Sequence, residues 1–123
     1  MKDPRISLVQ ILECLDRIRA YTKDGKRKFD HDSMVRDAVI RNFEIIGEAS
    51  KRVPMEFREQ TSEIPWRGLS GFRDVLIHQY EGVDYERVWR IIEEDLPGLR
   101  SAISKALPPL DVLERDINGE SGD

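Results

Sequence analysis

Apolar residues recur at intervals of three and four along most of this 123-residue chain. The first run follows Asp3 and Pro4, an N-cap side chain and a proline that suits the first helical position. This pattern predicts a helix that ends near Lys23. Its apolar positions are Ile6, Val9, Ile11, Leu12, Leu15 and Ile18. Cys14 lies among them and is the only cysteine, so we interpret it as a core residue that cannot form an internal disulfide.

The longest amphipathic run extends from residue 33 to residue 53 and predicts a long central helix. Asp32 or Ser33 can cap its N-terminus. Gly47 lies in mid-helix, where glycine costs about 1 kcal/mol relative to alanine. Its presence indicates close approach of another backbone, either at a helix crossing or at a subunit contact.

Shorter signals predict three further helical segments. Residues 55–60 can form a short helix, and Pro65 precedes a helix that should end near Gly82. Asp84 can cap a last helix, which should continue through Pro97 with a kink and end near residue 107. By contrast, residues 23–30 are polar and contain a glycine, which favours a loop. Their Lys-Arg-Lys run at 26–28 is interpreted as solvated rather than as an RNA contact.

These elements predict an all-α, up-and-down bundle of four to five helices, because no segment alternates polar and apolar residues as a strand would. We expect one helical domain over residues 1–107 and an acidic, mobile tail over residues 108–123. The net charge of −4 arises in that tail, and the first 107 residues are neutral. The overall acidity is therefore a weak argument against an RNA partner. No apolar run approaches the roughly 20 residues of a membrane span, so we expect a cytoplasmic protein without membrane contact.

Residues 71–80 contain most of the reactive side chains. Arg73 is a permanent cation, His78 belongs to the type that titrates near neutral pH, and Tyr80 provides a phenol, a set that suits phosphate chemistry. Structural alternatives remain open: the histidine could cap a helix, the tyrosine could pack, and the arginine could pair with acidic residues. Those candidate acidic residues are Glu44, Glu48 and Asp74.

Metal and cofactor sites are not indicated by the sequence. The other histidine, His31, stands between two aspartates and is interpreted as part of a helix cap. No further ligand follows it at a spacing suited to metal binding. No phosphate-binding loop or serine nucleophile motif is present, and we predict neither a metal nor a cofactor.

Helical geometry separates Arg73 from His78. Five residues at 100° each place the two side chains about 140° apart around one straight helix. Either the helix loosens before His78, or a second copy of the chain completes the site. Metal-independent RNA cleavage needs a base for the 2′-hydroxyl, an acid for the 5′-oxygen and cations for the phosphorane. One histidine per chain supplies one proton carrier, so a two-fold symmetric pair would supply both.

Four blocks of the chain carry a resemblance to a known family. They read RDAVIRNFEIIGEA from Arg36, EIPWR from Glu63, RDVLIHQYEGVD from Arg73, and VW and DLP from Val88 and Asp95. Together they resemble the HepT-like family of the HEPN superfamily over roughly residues 5–107. The resemblance implies a helical, homodimeric endoribonuclease. It also implies the toxin of a type II-like toxin–antitoxin system of the HepT/MntA kind.

The resemblance assigns roles to individual residues. The family's catalytic arginine and histidine fall on Arg73 and His78, and its supporting polar residue falls on Asp74. The family's motif tyrosine falls on Tyr80, which a small MNT-type nucleotidyltransferase antitoxin would modify with AMP from ATP. An alternative is a non-catalytic partner that binds nucleotide or presents substrate to such an enzyme. A purely structural helical dimer is a third possibility.

Overall fold

The computed structural model describes residues 3–79 and 82–107, and these form an all-helical bundle, as the sequence predicts. A π-helical turn at Ile91–Asp95 joins the last two helical segments into one continuous helix. The predictions for the tail and for Tyr80 concern residues outside the described part. The segments are α1 Pro4–Tyr21, α2 Lys26–His31, α3 Ser33–Lys51, α4 Met55–Gln60, α5 Trp66–His78, α6 Tyr85–Arg90 and α7 Leu96–Ala106.

Helix α3 is the centre of the bundle. It packs against α1 and α5, and α1 also packs against α7. Its N-terminus is fixed as predicted, because the Asp32 carboxylate accepts hydrogen bonds from the backbone N–H groups of Met34 and Val35. The core between these helices consists of side chains withdrawn from solvent. Among the most deeply buried are Leu8, Ile11, Ile18, Val39, Ile46 and Ile103.

Helix α1 follows the prediction at its start and ends two residues early. The Asp3 carboxylate accepts a hydrogen bond from the backbone N–H of Arg5 at 2.9 Å. At the other end the Thr22 hydroxyl donates to the carbonyl of Ile18 at 2.7 Å, which satisfies a terminal carbonyl of the helix. Cys14 is fully buried, which confirms the prediction that it is a core residue. Burial raises the pKa of its thiol.

Helix α2 replaces the loop that was expected at residues 26–30, so that prediction is wrong. Gly25 turns the chain into the helix with φ of +96°, a conformation open to glycine. Phe29 is fully buried, with its ring 6.1 Å from Tyr85 and 5.2 Å from Trp89. Lys26 pairs with Asp30 across one helical turn. One aromatic anchor therefore stabilises a helix whose other residues look like a solvated loop.

The last helix begins as predicted, because the Asp84 side chain accepts from the backbone N–H of Arg87 at 3.1 Å. A simple kink at Pro97 was expected, but a π-helical turn precedes the proline instead. There the N–H of Leu96 donates to the carbonyl of Ile91, five residues earlier. Proline lacks an N–H and its ring clashes with the carbonyl four residues back, so a wider turn accommodates it without ending the helix.

Helix α5 ends earlier than predicted. Its last residue is His78, whereas the glycine signal had placed the end near Gly82. Gly82 lies instead in the following connection, with φ of +134°. Within residues 3–79 and 82–107, no helix is both long and apolar enough to cross a membrane.

Candidate active site

Arg73 lies where α3 and α5 cross. A Cβ atom placed on Gly47 would be 2.3 Å from the Cβ of Arg73 and 3.0 Å from the carbonyl oxygen of Leu69. Real Cβ contacts are never that short, so only glycine permits the two helices to approach this closely. The sequence left a helix crossing and a subunit contact open as reasons for Gly47, and a crossing accounts for it.

A small network of charges surrounds the Arg73 guanidinium. Its Nε lies 3.0 Å from Oε2 of Glu48, and its NH1 donates to Oδ1 of Asp74 at 3.1 Å. Lys51 donates to the same oxygen of Asp74 at 3.0 Å. Two of the three acidic partners expected for Arg73 are therefore present, and Lys51 is an addition that sequence reasoning missed.

The network fixes both the position and the charge of Asp74. Bonding to Lys51 and then to Arg73 keeps the pKa of this carboxyl below its ordinary value. Asp74 therefore stays ionised at neutral pH and holds one edge of the guanidinium. The Arg73 side chain is 26% exposed, so it is oriented by its neighbours while part of it faces solvent. An arginine in this state can bind an anion without a large rearrangement.

His78 is exposed at the end of α5. Helix α5 keeps its α-helical form up to this residue, so the expected separation of about 140° from Arg73 applies. Loosening of the helix before His78, one of the two alternatives, is therefore wrong. The two residues therefore leave α5 from different sides of the helix, and Tyr80 lies outside the described residues.

Two cavities lie beside α5. One, of about 210 Å³, is lined by Arg73 and Ile77 together with polar side chains of α1 and α3. The other, of about 500 Å³, is mostly apolar and lies between α3, the first half of α5 and the last helix. The two share no lining residue. Only the smaller cavity adjoins the candidate catalytic arginine, and the sequence did not predict it.

The described residues contain no group of three histidine, cysteine or acidic side chains placed to hold a metal ion. His31 is exposed in the last turn of α2, and its neighbour Asp32 forms the cap of α3. The capping role expected of this short segment therefore belongs to the aspartate.

Comparison with known proteins gives consistent results. The sequence profile of the family described as "Ribonuclease HepT-like" matches residues 11–106. The "Gamma-glutamylcyclotransferase and putative RNase MJ0434" of Methanocaldococcus jannaschii is 45% identical over 89% of this chain. The chain spans 50% of that relative's length. No solved structure gives a significant match.

Two shorter relatives are covered almost completely. "Putative RNase MJ1380", also of Methanocaldococcus jannaschii, is 40% identical over 83% of this chain and 94% of its own length. "Probable ribonuclease HepT" of Thermococcus cleftensis is 41% identical over 80% of this chain and 90% of its own length. The profile match covers the central helices and the crossing at Gly47. The chain therefore belongs to the HepT-like family of ribonucleases.

Proposed function

We propose that the protein is a metal-independent endoribonuclease that cleaves RNA at a composite site formed by two copies of the chain. The observation that carries this proposal is the regular helix between Arg73 and His78. Their positions lie about 140° apart around α5, so one chain presents Arg73 and His78 on different sides of the helix and supplies only one proton carrier to the site. Two copies related by a two-fold axis can place an arginine and a histidine from each chain in one cleft.

The chemistry assigned to this cleft is transesterification at phosphorus. One His78 removes the proton from the 2′-hydroxyl, and the 2′-oxygen then bonds to the phosphorus. The second His78 protonates the 5′-oxygen as its bond to phosphorus breaks. Arg73 from each chain stabilises the negative charge on the non-bridging oxygens of the phosphorane. The products are a 2′,3′-cyclic phosphate and a free 5′-hydroxyl.

Asp74 and Glu48 act in this scheme as positioning residues. Glu48 holds the Nε edge of Arg73 at 3.0 Å and Asp74 holds its NH1 edge at 3.1 Å, so protein groups orient the guanidinium. A preorganised cation stabilises a transition state better than one that must reorient, because no reorganisation is needed as the charge develops.

Cleavage by the purified full-length protein tests the nuclease proposal. Wild type, Arg73→Ala and His78→Ala are incubated with a single-stranded RNA in EDTA. We expect each variant to lose activity by about 100-fold or more. Arg90→Ala, a change at an exposed arginine of α6, serves as the matched control and should cleave like wild type. Equal activity in all four samples would indicate a contaminating nuclease and refute the proposal.

We further propose that the protein is the toxin of a toxin–antitoxin pair and that a nucleotidyltransferase antitoxin neutralises it by transferring AMP to Tyr80. The support is the family membership together with the position of Tyr80 two residues after His78. The phenol oxygen would attack the α-phosphorus of ATP, release pyrophosphate and lose its proton to solvent or a base. The added phosphate would then compete with RNA for Arg73 of the proposed site.

Mass spectrometry tests this modification. The protein is co-expressed with a nucleotidyltransferase of the proposed class, and the peptide that contains residue 80 is sequenced. We expect AMP on Tyr80 and none in Tyr80→Phe. Tyr21→Phe, a change at an exposed tyrosine at the end of α1, should leave the modification intact. AMP found only on another residue would contradict the assignment.

A further inference from the structure

The cavity beside Arg73 has a composition that the catalytic scheme does not use. It has a volume of about 210 Å³ and lies between α1, α3 and α5. Six of its lining residues are polar or charged: Gln10, Arg41, Glu44, Glu48, Arg52 and Arg73. Three arginines and two glutamates give this lining a net positive charge, although the first 107 residues are neutral overall. The cavity is therefore a local basic site.

Two of its arginines lack an internal partner. Arg73 is paired with Glu48, but neither Arg41 nor Arg52 forms an ion pair or side-chain hydrogen bond with any residue in the described ranges. Both are exposed. An unpaired guanidinium keeps its full set of donors for a ligand, and its planar fork matches the oxygens of a phosphate.

Four of these residues form one stripe along α3 and its C-cap residue, Arg52. At 100° per residue, Arg41, Glu44, Glu48 and Arg52 fall within about 80° of the helix circumference. Arg41 and Arg52 are separated by about 16 Å along the helix axis. Gly47, where Arg73 crosses, lies near the middle of this interval. The two unpaired arginines therefore flank Arg73 on either side.

We propose that this cavity binds the ribose-phosphate backbone of single-stranded RNA next to the phosphate that is cleaved. Arg41 and Arg52 bind the non-bridging oxygens of phosphates on either side, and Gln10 is a donor and acceptor for a ribose hydroxyl. The proposal rests on the nuclease function proposed above and identifies where its substrate lies. A cavity of about 210 Å³ can take one ribose-phosphate unit, and we therefore take a single strand as the ligand.

Glu48 has a defined part in this site. Its carboxylate occupies the Nε edge of Arg73 at 3.0 Å. A phosphate that enters the cavity meets this carboxylate as a competitor of the same charge. Removing the charge of Glu48 should therefore strengthen RNA binding, whereas removing an arginine should weaken it. A general loss of folding would not strengthen RNA binding at one position and weaken it at a neighbouring one.

Binding of a fluorescein-labelled single-stranded RNA, followed by anisotropy, tests the proposal. All proteins carry His78→Ala so that the RNA stays intact. We expect Arg41→Ala and Arg52→Ala each to raise the Kd by about 5- to 20-fold and to reduce the slope of log K against log salt by about 0.7. The Kd of Arg41→Lys should lie between those of the parent protein and Arg41→Ala, since lysine keeps the positive charge but lacks the planar guanidinium. Glu48→Gln should lower the Kd by about two- to fivefold.

Arg90→Ala is the matched control, because it removes an exposed arginine that does not line the cavity. Its Kd should equal that of the parent protein. Melting temperatures verify that every variant is folded. If the double variant Arg41→Ala/Arg52→Ala is folded and binds RNA as tightly as the control, the proposal is wrong. A change in sedimentation without a change in Kd would assign these arginines to contact between copies and would also overturn it.

The outcomes separate this proposal from the nuclease function. RNA binding that depends on Arg41 and Arg52, in a protein whose wild type does not cleave, would support the cavity and refute the nuclease. If cleavage requires His78 but the Kd for RNA is unchanged by loss of Arg41 and Arg52, the nuclease proposal is supported and the proposal for the cavity is refuted.

Discussion

The Cβ atom of Arg73 lies against the backbone of Gly47, so closely that a methyl group on residue 47 would come within 2.3 Å of it. The contact is between a backbone and the first side-chain carbon, and neither can rotate away. The position of the candidate catalytic arginine is thus set by the crossing of α3 and α5. Its charged neighbours then orient the guanidinium at the end of the side chain.

Gly47→Ala should therefore impair both folding and cleavage. Relief of the overlap requires α5 to move away from α3, which we expect to cost about 1–3 kcal/mol in the free energy of unfolding, as overpacked core positions do. Urea denaturation measures this loss, and RNA cleavage should fall at the same time because Arg73 moves with its helix.

Gly71→Ala provides the control for that variant. Gly71 also lies in α5, but a Cβ at this position meets nothing within 4 Å. Alanine is the better helix former, so stability should stay the same or rise by up to about 1 kcal/mol. Equal changes in stability from the two substitutions would show that the overlap at Gly47 adds no cost of its own and would contradict the prediction.

Mixed dimers test whether two His78 side chains serve one site. Wild-type and His78→Ala chains are unfolded together and refolded at equal concentration. If each site needs both histidines, only wild-type dimers are active and the activity falls to about one quarter of that of the same total protein as wild type. If each chain acts alone, about one half remains. Chains mixed after refolding, without exchange, provide the control and should retain about one half.

Phe29→Ala should destabilise the protein by about 3–5 kcal/mol, because it removes a fully buried ring that packs against Trp89 and Tyr85. Thermal unfolding followed by circular dichroism measures the effect. Lys28→Ala, on the exposed face of the same helix, should change stability by less than about 1 kcal/mol. Similar losses from the two changes would mean that α2 contributes through its charges.

Acid should weaken the contact between α1 and α7. Arg100 bonds to Asp16 at 2.7 Å, and this bond lowers the pKa of Asp16 from its ordinary 3.8. A depressed carboxyl pKa contributes stability above the ordinary value, and this stability is lost as the pH falls through the folded-state value. Asp16→Asn should therefore unfold more easily than wild type at pH 6, and the difference should shrink as the pH falls below the ordinary value of 3.8. The gap at pH 6 should be at most about 1 kcal/mol, because the pair is exposed.

The sequence predicted the helices whose apolar stripe and capping residue agreed. Asp32 and Asp84 cap as expected, and Gly47 indicated a close approach. Helix α2 was not predicted because Phe29 is its one buried residue, and a single apolar position cannot show the repeat of three and four that indicates a helix. The π-helical turn before Pro97 was not predicted because a proline indicates that the α-helical hydrogen bonds are interrupted, but not whether a kink or a wider turn results.

The candidate site was likewise predictable only in part. Glu48 and Asp74 are two of the three acidic residues that the sequence offers as partners of Arg73, and both contact it. Lys51 could not be predicted, since its contact with Asp74 depends on how α3 and α5 are aligned. Arg41 and Arg52 looked like ordinary surface residues. Their spacing indicates a binding site only when the position of Arg73 between them is known, and the sequence alone does not give that position.

The buried state of Cys14 makes the protein well suited to distance spectroscopy. The chain has no other cysteine, and a thiol with a raised pKa and no exposed surface reacts slowly with labelling reagents. A cysteine introduced at an exposed position such as Ser101 would therefore be the single site that accepts a spin label. The proposed dimer would then carry two labels, and the separation between them would report the geometry of the pair directly in solution.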